Sequence, residues 1–556
     1  MSKIKSIAAN LQLAKKDFVE LSDIATSIYY YDSFTTALAD ANSNSTANYS
    51  PDFGTQPEAC IMRNDDVQIL RLMSAVYPNE SISISADMIL DLNGQMLDFS
   101  SGAHQLVIEQ NASVIIYGMK ANSLITQVFS PSSNVTFSKS QSLILANGNY
   151  IGVFGGTYNM TANLGKVSGT VFAVQNGDSV FEKCIIYHTD FDAGTNNQNS
   201  IYGIYCTNND CYTIVKNCII DVNHMMEGST YGIILNNKLN SVIGTTINVT
   251  SFDPFDDTAR GYASCFGIYN SSYDNKSLIK DCVIKSECGC YKNDVVDSDG
   301  NVVTKAGTIY DGGIGISNSG EMWLSNNDVL HIGNSSVTNR NIMYILSGEY
   351  KNPSHGLYNT KDENAIPATL YVVGGKFIHT AKEYPDISSE FASSACYLGY
   401  GSTAYIDGAE FLSKRGNSSI AFNQRIDGGG GNPIPSTAYV SNTICHNTIR
   451  GASNWLNKTP SRIFVGENCD FKMGYYLEEE YEGSLTITET GENYKSDIPT
   501  VTQKPFNDIM IDINASVLNL KQALLAKGVE VDELNGLEDI VYIAKEYIDS
   551  INCSAE

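Results

Sequence analysis

Carboxylate side chains occur in three short polar segments, where they could perform acid–base chemistry. Two aspartates stand one residue apart in YHTDFDAG, a glutamate follows HMM, and three aspartates stand in SFDPFDDTAR. Paired carboxylates hydrolyse glycosidic bonds, and carboxylates also hold calcium in lyases that use an arginine base. The same residues equally fit solvated surface loops of an acidic chain. The candidate catalytic residues are Asp190, Asp192, Glu227, Asp253, Asp256 and Asp257.

Metal and cofactor motifs are scarce. The segment DVVDSDGN (294–301) has the composition of a calcium loop but lacks the glutamate at its far end, so it predicts a turn. Cys288-Gly289-Cys290 could hold a metal or a strained disulfide, yet no pair of cysteine motifs has zinc-site spacing. There is no nucleophile elbow, phosphate loop or HExxH motif. The sequence therefore predicts no metal and no cofactor.

Composition narrows the class of partner. The 556 residues carry 35 basic and 61 acidic side chains, a net charge of −26, with no basic cluster to follow a phosphate backbone. Hydrophobic residues make up 42%, enough for a large core, but no run of about 18 apolar residues could span a membrane. The first 21 residues lack the apolar region of a secretory signal. We expect neither nucleic-acid binding nor membrane insertion.

A repeated phrase organises the chain. VKNCIIDV (215–222), FEKCIIYH (181–188) and IKDCVIKS (279–286) each place a small residue between an apolar residue three positions before it and another two positions after it. We call this small residue the anchor. Nine positions fit: Gly156, Cys184, Cys218, Thr245, Cys282, Asn327, Gly375, Ala409 and Thr443.

The residue before each anchor indicates a sharp corner. Eight of these nine residues are Gly, Asn or Asp, which adopt a left-handed backbone at least cost; in chain order they are Gly155, Lys183, Asn217, Gly244, Asp281, Asn326, Gly374, Gly408 and Asn442. Glycine-led apolar runs precede several anchors by 12 to 15 residues, at Gly169, Gly203, Gly232, Gly267 and Gly315. The anchors lie 27 to 48 residues apart, a constant unit with variable insertions. This pattern predicts a solenoid of stacked parallel strands.

Short strands, an Asn or Gly corner and stacked Cys, Ile and Val positions resemble the right-handed parallel β-helix of pectate lyases and bacteriophage tailspikes. The resemblance covers roughly residues 80 to 470, and SISISADMILDLNGQMLDF (81–99) resembles the first coil of phage and bacterial β-helix adhesins, with a turn at Asn93-Gly94. A β-sandwich or propeller is the alternative, although two Trp residues do not suit the usual propeller signatures.

The flanking segments predict helices. Residues 1–25 place Ile4, Ile7, Leu11, Phe18 and Leu21 roughly on one side, and residues 39–56 read as a linker. Residues 515–551 predict two helices that could dock on the β-helix or on another copy, and ALLAKGV (523–529) resembles a segment of phage tail proteins. We therefore divide the chain into an N-terminal attachment segment and linker (1–56), a cap or entry region (57–80), the β-helix (81–470), a connector (471–511) and a C-terminal helical hairpin (512–556).

These features predict a bacteriophage virion protein, a tail spike, fibre or related appendage, made in the host cytoplasm and released by lysis. Its expected partners are a host surface polysaccharide or receptor and other virion proteins, and the resemblance implies a homotrimer. The 33 tyrosines could stack on sugar rings or merely pack loops, and we expect most of the thirteen cysteines to be reduced and buried. His188 and His224 are expected to be structural. The alternatives are a tailspike-type polysaccharide lyase or hydrolase, and a bacterial surface adhesin.

Overall fold

The structure is a computed structural model and describes most of the central chain. The described residues are 21–50, 56–64, 67–129, 140–162, 164, 167–190, 199–208, 210–224, 228–251, 264–288, 295–296, 302–304, 313–361, 366–380, 394–413, 418–423, 434–451, 460–476 and 485–499. Of the predicted N-terminal helix (1–25) only residues 21–25 lie within these ranges, where Leu21–Ile24 form a 3₁₀ helix, and the predicted helices of residues 515–551 lie outside them.

Three long sheets contain nearly all the strands, which are numbered along the chain. Sheet A has seventeen strands: β1 (Ser27–Tyr31), β2 (Ala59–Arg63), β3 (Gln68–Leu72), β5 (Met88–Asp91), β8 (Ser113–Gly118), β11 (Tyr150–Gly155), β14 (Asp178–Glu182), β17 (Tyr212–Lys216), β20 (Leu239–Ile243), β23 (Lys276–Lys280), β28 (Glu321–Ser325), β31 (Ile342–Ile345), β34 (Thr369–Val372), β37 (Thr403–Asp407), β40 (Thr437–Ser441), β43 (Ser461–Val465) and β46 (Leu485–Glu489).

Sheet B has thirteen strands: β6 (Met96–Asp98), β9 (Leu124–Val128), β12 (Thr157–Ala162), β15 (Ile185–Asp190), β18 (Ile219–His224), β21 (Thr246–Ser251), β24 (Val283–Cys288), β29 (Asn327–Ile332), β32 (Gly348–Asn352), β35 (Lys376–His379), β38 (Glu410–Ser413), β41 (Ile444–Cys445) and β44 (Asp470–Phe471).

Sheet C has fourteen strands: β4 (Ile82–Ile84), β7 (Leu106–Ile108), β10 (Gln141–Ala146), β13 (Gly169–Val174), β16 (Asn199–Cys206), β19 (Gly228–Leu235), β22 (Ser264–Asn270), β27 (Ile314–Asn318), β30 (Ser335–Asn339), β33 (His355–Asn359), β36 (Ser394–Gly399), β39 (Ser418–Asn423), β42 (Ile449–Arg450) and β45 (Tyr475–Tyr476). A separate antiparallel pair, β25 (Val295–Val296) and β26 (Val302–Thr304), lies in the connection between β24 and β27.

Consecutive strands visit the sheets in the order C, A, B, and each pairs in parallel with its equivalent one turn later. Thirteen complete triplets, from β4 at Ile82 to β44 at Phe471, form the coils. At about 4.8 Å per coil they make a rod about 60 Å long. This arrangement is consistent with the predicted parallel β-helix.

The N-terminal end of the rod is closed by a helix that the sequence did not predict. Helix α1 (Phe34–Asn42) buries Phe34, Ala37, Leu38 and Ala41 in the interior cluster, and the Ser33 side chain caps its first turn. The strands β1, β2 and β3 pair antiparallel beside it. Residues 39–50, expected as part of a linker, are instead folded: buried Asp40 accepts hydrogen bonds from Tyr31 Oη at 2.9 Å and from Asn48 Nδ2 at 2.7 Å.

The predicted corners lie between sheets A and B. Eight of the nine positions have positive φ, including Lys183 at 57°, Asn217 at 53° and Asn442 at 50°. Gly374 is the exception, and the next residue, Gly375, has φ of 114° instead. The predicted turn at Asn93-Gly94 also has positive φ at both residues. The left-handed corner is therefore confirmed, even where a lysine occupies it.

Three further A–B corners are not part of the sequence pattern, and the first is Asn122, with φ of 68°, between β8 and β9. Gly348 pairs with Asn327 one coil earlier and has φ of 128°, so the spacing of 48 residues between Asn327 and Gly375 contains two coils. Its preceding residue is Ser347, which is not a residue that favours the left-handed region. The third corner is Asn468, with φ of 54°, before Cys469.

Hydrogen bonds at the corner lock each coil to the next. The N–H of Lys183 donates to Lys216 O at 3.0 Å, and that of Asn217 donates to Ile243 O at 2.9 Å. Anchor side chains bond in the other direction, to the strand of the preceding coil: Cys218 Sγ donates to Phe181 O at 3.6 Å, and Asn327 Nδ2 donates to Ile279 O at 2.9 Å. A small residue therefore fits the anchor, and a donor group on it adds a hydrogen bond to the preceding coil.

The interior is a continuous apolar column formed by one face of the strands in sheets A, B and C. Cys184, Cys218 and Cys282 are each 1% exposed and occupy equivalent positions, as predicted. Nine buried or half-buried cysteines are reduced thiols: Cys60, Cys184, Cys206, Cys218, Cys265, Cys282, Cys396, Cys445 and Cys469. Cys290 lies outside the described residues.

The left-handed corner predicts a specific stability change. Asn217→Val should lower the free energy of unfolding by about 1–2 kcal/mol, because a β-branched residue is strained at positive φ. Asn217→Gly is the matched control and should stay within about 1 kcal/mol of the wild type. Urea unfolding followed by circular dichroism measures both. Equal stability of the valine variant and the wild type would contradict the corner.

Candidate functional site

The candidate carboxylates belong to one edge of the rod. The segments 191–198, 225–227 and 252–263 connect sheet B to sheet C in three successive coils, and they contain Asp192, Glu227, Asp253, Asp256 and Asp257. These five residues lie outside the described residues, and their catalytic role stays a prediction. The topology assigns their segments to a single edge, which is what a shared site would need.

Asp190, the sixth candidate, is an interior residue and not part of an insertion. It ends β15 and has no exposed surface. Its Oδ1 accepts the Leu164 N–H at 2.9 Å, and its Oδ2 accepts Asn199 Nδ2 at 2.8 Å. His224 Nε2 lies 3.5 Å from Oδ2, an ion-pair distance. In this position the carboxylate organises the corner between sheets B and C, and no surface of it is available to a polysaccharide.

His188 and His224 flank this carboxylate inside the rod, which agrees with their expected structural role. His188 Nδ1 donates to the Tyr202 carbonyl at 3.0 Å, so the neutral ring carries its proton on Nδ1. His224 Nδ1 lies 3.2 Å from Thr230 Oγ1. Asp190, His224 and Thr230 thus follow the order of a catalytic triad, but all three are at most 1% exposed. A substrate has no access to them.

Buried histidines recur further along the same corner. His331 Nδ1 lies 2.7 Å from Ser286 Oγ, and His355 Nδ1 lies 3.3 Å from Ser394 Oγ on a neighbouring coil. Burial lowers the pKa of His188 to about 4 and the pKa values of His331 and His355 to about 3. These side chains are therefore neutral over the range in which an exposed histidine titrates.

A ladder of buried asparagines lies at the carboxyl ends of four sheet C strands, on the side where these strands lead into sheet A. Asn270 Nδ2 donates to Asn318 Oδ1 at 2.9 Å, Asn318 Nδ2 to Asn339 Oδ1 at 3.0 Å, and Asn339 Nδ2 to Asn359 Oδ1 at 2.8 Å. All four residues have no exposed surface. The ladder satisfies polar groups that would otherwise be costly to bury, and sequence reasoning missed it. The available signal was an Asn at the end of four glycine- or serine-containing strands.

An aromatic ladder runs along the outer face of sheet A over six strands. The rings stack at centroid distances of 4.8 to 5.4 Å and interplanar angles of 6° to 14°. Its members are Trp323, Tyr344, Tyr371, Tyr405, Tyr439 and Phe464. A ring that stacks on both neighbours presents only its edge, so this ladder does not offer the free ring faces on which sugars stack.

Rings at or near both ends of the aromatic ladder have further neighbours. Lys276 Nζ lies 6.0 Å from the Trp323 ring centroid. Near the other end Tyr494, in a 3₁₀ helix (Tyr494–Asp497), packs edge-on against Tyr439 at 5.4 Å. The ladder is therefore better suited to stiffening the sheet than to stacking on a ligand. A second set of stacked rings, Tyr202, Tyr231 and Phe266, lies on sheet C.

Metal ligands do not converge in the part of the chain that is described: no group of three or more His, Cys, Asp or Glu side chains could hold an ion there. The strands β25 and β26 flank the segment 297–301 and pair antiparallel, so the chain reverses direction between them, as a turn requires. Residues 297–301 themselves lie outside the described residues. Among the described helices, none has the length and apolar character needed to cross a membrane.

Comparison with known proteins identifies no relative. No protein family, no curated protein and no solved structure matches this chain.

The buried histidines predict a dependence of stability on pH. Their folded pKa values lie below the ordinary value of 6.5, so the unfolded chain binds protons first as the pH falls. Stability is fully present above about pH 6.5 and is lost towards pH 3–4, at up to about 1.4 kcal/mol per pH unit for each histidine. Urea midpoints between pH 7 and pH 4 measure this slope.

His331→Asn is the matched variant, because an asparagine, Asn352, occupies the equivalent position one coil later. The variant should flatten the slope by the contribution of one histidine. An unchanged slope in His331→Asn would show that this ring is accessible to protons in the folded state.

Proposed function

We propose that the chain is a structural protein of a bacteriophage virion, a tail spike, fibre or related appendage, whose right-handed β-helix contacts polysaccharide on the host surface. The observation that carries the proposal is the distribution of connection lengths around the rod. Connections from sheet A to sheet B have one to five residues, as between β11 and β12 and between β8 and β9. Those from sheet B to sheet C range from two residues, between β29 and β30, to 25, between β24 and β27.

A constant edge beside a variable edge is the pattern of a rigid scaffold that carries recognition loops. Insertions at the B–C edge leave the corner hydrogen bonds between sheets A and B intact, so this edge can change without altering the fold. Long connections from sheet C to sheet A, such as the 13 residues between β39 and β40, add to the variable surface. We propose the B–C edge as the polysaccharide-binding surface, in a homotrimer anchored by other virion proteins.

The reduced, buried thiols support a protein that folds in a reducing cytoplasm, as virion proteins do, over the exported adhesin. The enzymatic alternative, a polysaccharide lyase or hydrolase, draws on the same B–C edge, because three successive coils carry the acidic segments there. The two proposals differ in outcome: a structural protein binds the polymer and leaves it intact.

The chain supplies its own matched loop for a test. Replacing residues 252–263 with the three residues 225–227, which make the same connection one coil earlier, should preserve the fold and lower polysaccharide affinity at least tenfold. Binding of the full chain to immobilised capsular polysaccharides and lipopolysaccharide O-chains measures the affinity. Shortening 424–433, at the C–A edge, is the control and should leave it within about threefold.

Two outcomes would contradict the proposal. Absence of binding to every polymer would remove the carbohydrate partner, and new reducing ends in the same incubations would show an enzyme. Equal affinity of the 252–263 replacement and the wild type would move the binding surface away from this connection.

A further inference from the structure

The outer face of sheet A is apolar and buried near the N-terminal end of the rod. Along β8, Val114 and Ile116 face the interior cluster, whereas Ile115 and Tyr117 belong to a second cluster on the other face. We call this second set the outer-face cluster; its members are Leu21, Cys60, Met62, Val67, Ile69, Ile89, Ile115, Tyr117, Tyr150, Phe154, Val180 and Ile214. Ile69, Ile89 and Ile115 have no exposed surface although they point away from the core. A further layer must cover them.

We propose that residues 1–20 of the same chain form this layer, as an amphipathic helix lying lengthwise across sheet A. The chain enters the cluster at the right place: Leu21, the first described residue, is 1% exposed and packs in the outer-face cluster. Ile4, Ile7, Leu11 and Phe18 fall on one side of a helix that would lead into it. This proposal is independent of the proposed function.

The length of such a helix matches the length of the outer-face cluster. A helix of 20 residues is about 30 Å long. The outer-face cluster runs from Cys60 in β2 to Ile214 in β17, seven strands in sheet order, which span about 29 Å at 4.8 Å per strand. One helix therefore covers the cluster from end to end.

The charge of residues 1–20 also suits the outer face of sheet A. Glu182 Oε2, on the outer face of β14, is buried and has no hydrogen-bond partner among the described residues. Burial raises the pKa of Glu182. Residues 1–20 carry four lysines against two acids, in a chain with net charge −26. The charges of Lys216 and Lys183 offset part of this rise in the Glu182 pKa, and a lysine of the helix would supply the hydrogen-bond donor that Glu182 Oε2 lacks among the described residues.

Other segments of the chain are less suited to cover the outer-face cluster. The end of the rod is already closed by α1, so residues 1–20 are not needed there. The connection 130–139 leaves sheet B for sheet C, on the sides of the rod away from sheet A. The 3₁₀ helix Tyr494–Asp497, near the end of the described chain, contacts β37 and β40, which lie six and seven strands beyond β17. A second copy of the chain remains as the occupant that the experiment must separate.

The alkylation rate of the Cys60 thiol shows whether the outer face of sheet A is covered. It lies in the outer-face cluster at 2% exposure, and burial raises its pKa to about 11. Interior thiols, such as Cys184 and Cys218, serve as internal standards because they belong to the other cluster. Native alkylation with iodoacetamide at pH 8, followed by peptide mass spectrometry, gives the rate at each cysteine.

Leu11→Asp combined with Phe18→Asp should uncover the outer face. We expect the alkylation rate of Cys60 to rise more than tenfold, because exposure increases both access and the thiolate fraction, while Cys184 and Cys218 stay protected. Ser6→Asp combined with Ala9→Asp makes the same charge change on the opposite side of the helix and should leave Cys60 protected. Leu11→Ala, a milder change, should also raise the Cys60 rate if the double variant fails to fold.

Two results would overturn the proposal. Unchanged Cys60 protection in both Leu11 variants would show that another segment covers the sheet. A rise in Cys60 labelling together with a fall in mass, measured by light scattering on the same sample, would assign the cover to a second copy of the chain.

Discussion

The hydrogen-bonded corner between sheets A and B is the constraint on which the rest of the structure depends. One residue in the left-handed region donates its N–H to the next coil, and an anchor side chain with a donor group donates back to the preceding coil, as Asn217 and Cys218 do. Because a shift of one residue would break both bonds and reverse every side chain, the corner sets the register of the whole rod. The columns of stacked side chains follow from that register.

These columns explain how the rod tolerates so many buried polar groups. A polar side chain at one position meets its equivalent one coil away, so asparagines bond to asparagines and histidines meet hydroxyls. The same geometry stacks the aromatic rings on the outer face of sheet A. Stacking uses the ring faces, which is why the abundance of tyrosine does not translate into a sugar-binding platform on this sheet.

The coils and corners were predictable because the left-handed backbone restricts residue type. Gly, Asn or Asp at eight of nine positions located the corners. The coil at Gly348 was missed because Ser347 precedes it, so that two coils were counted as one spacing of 48 residues. The role of Asp190 was not predictable, since alternation along β15 places its carboxylate inside only once the register is known. Helix α1 was missed because its polar neighbours suggested a linker. The buried outer face of sheet A was hidden because both faces of these strands are apolar.

A pair of engineered disulfides tests the register most directly. Lys183 and Asn217 are exposed corner residues on adjacent coils, about 4.8 Å apart, whereas Lys183 and Gly244 are two coils apart, about 9.6 Å. A disulfide needs Cα atoms closer than about 7 Å. The structure predicts that Lys183→Cys with Asn217→Cys forms a disulfide on mild oxidation, and that Lys183→Cys with Gly244→Cys does not, as read by peptide mass spectrometry. A bridge in the second pair, or none in the first, would contradict the coil register and the β-helix built on it.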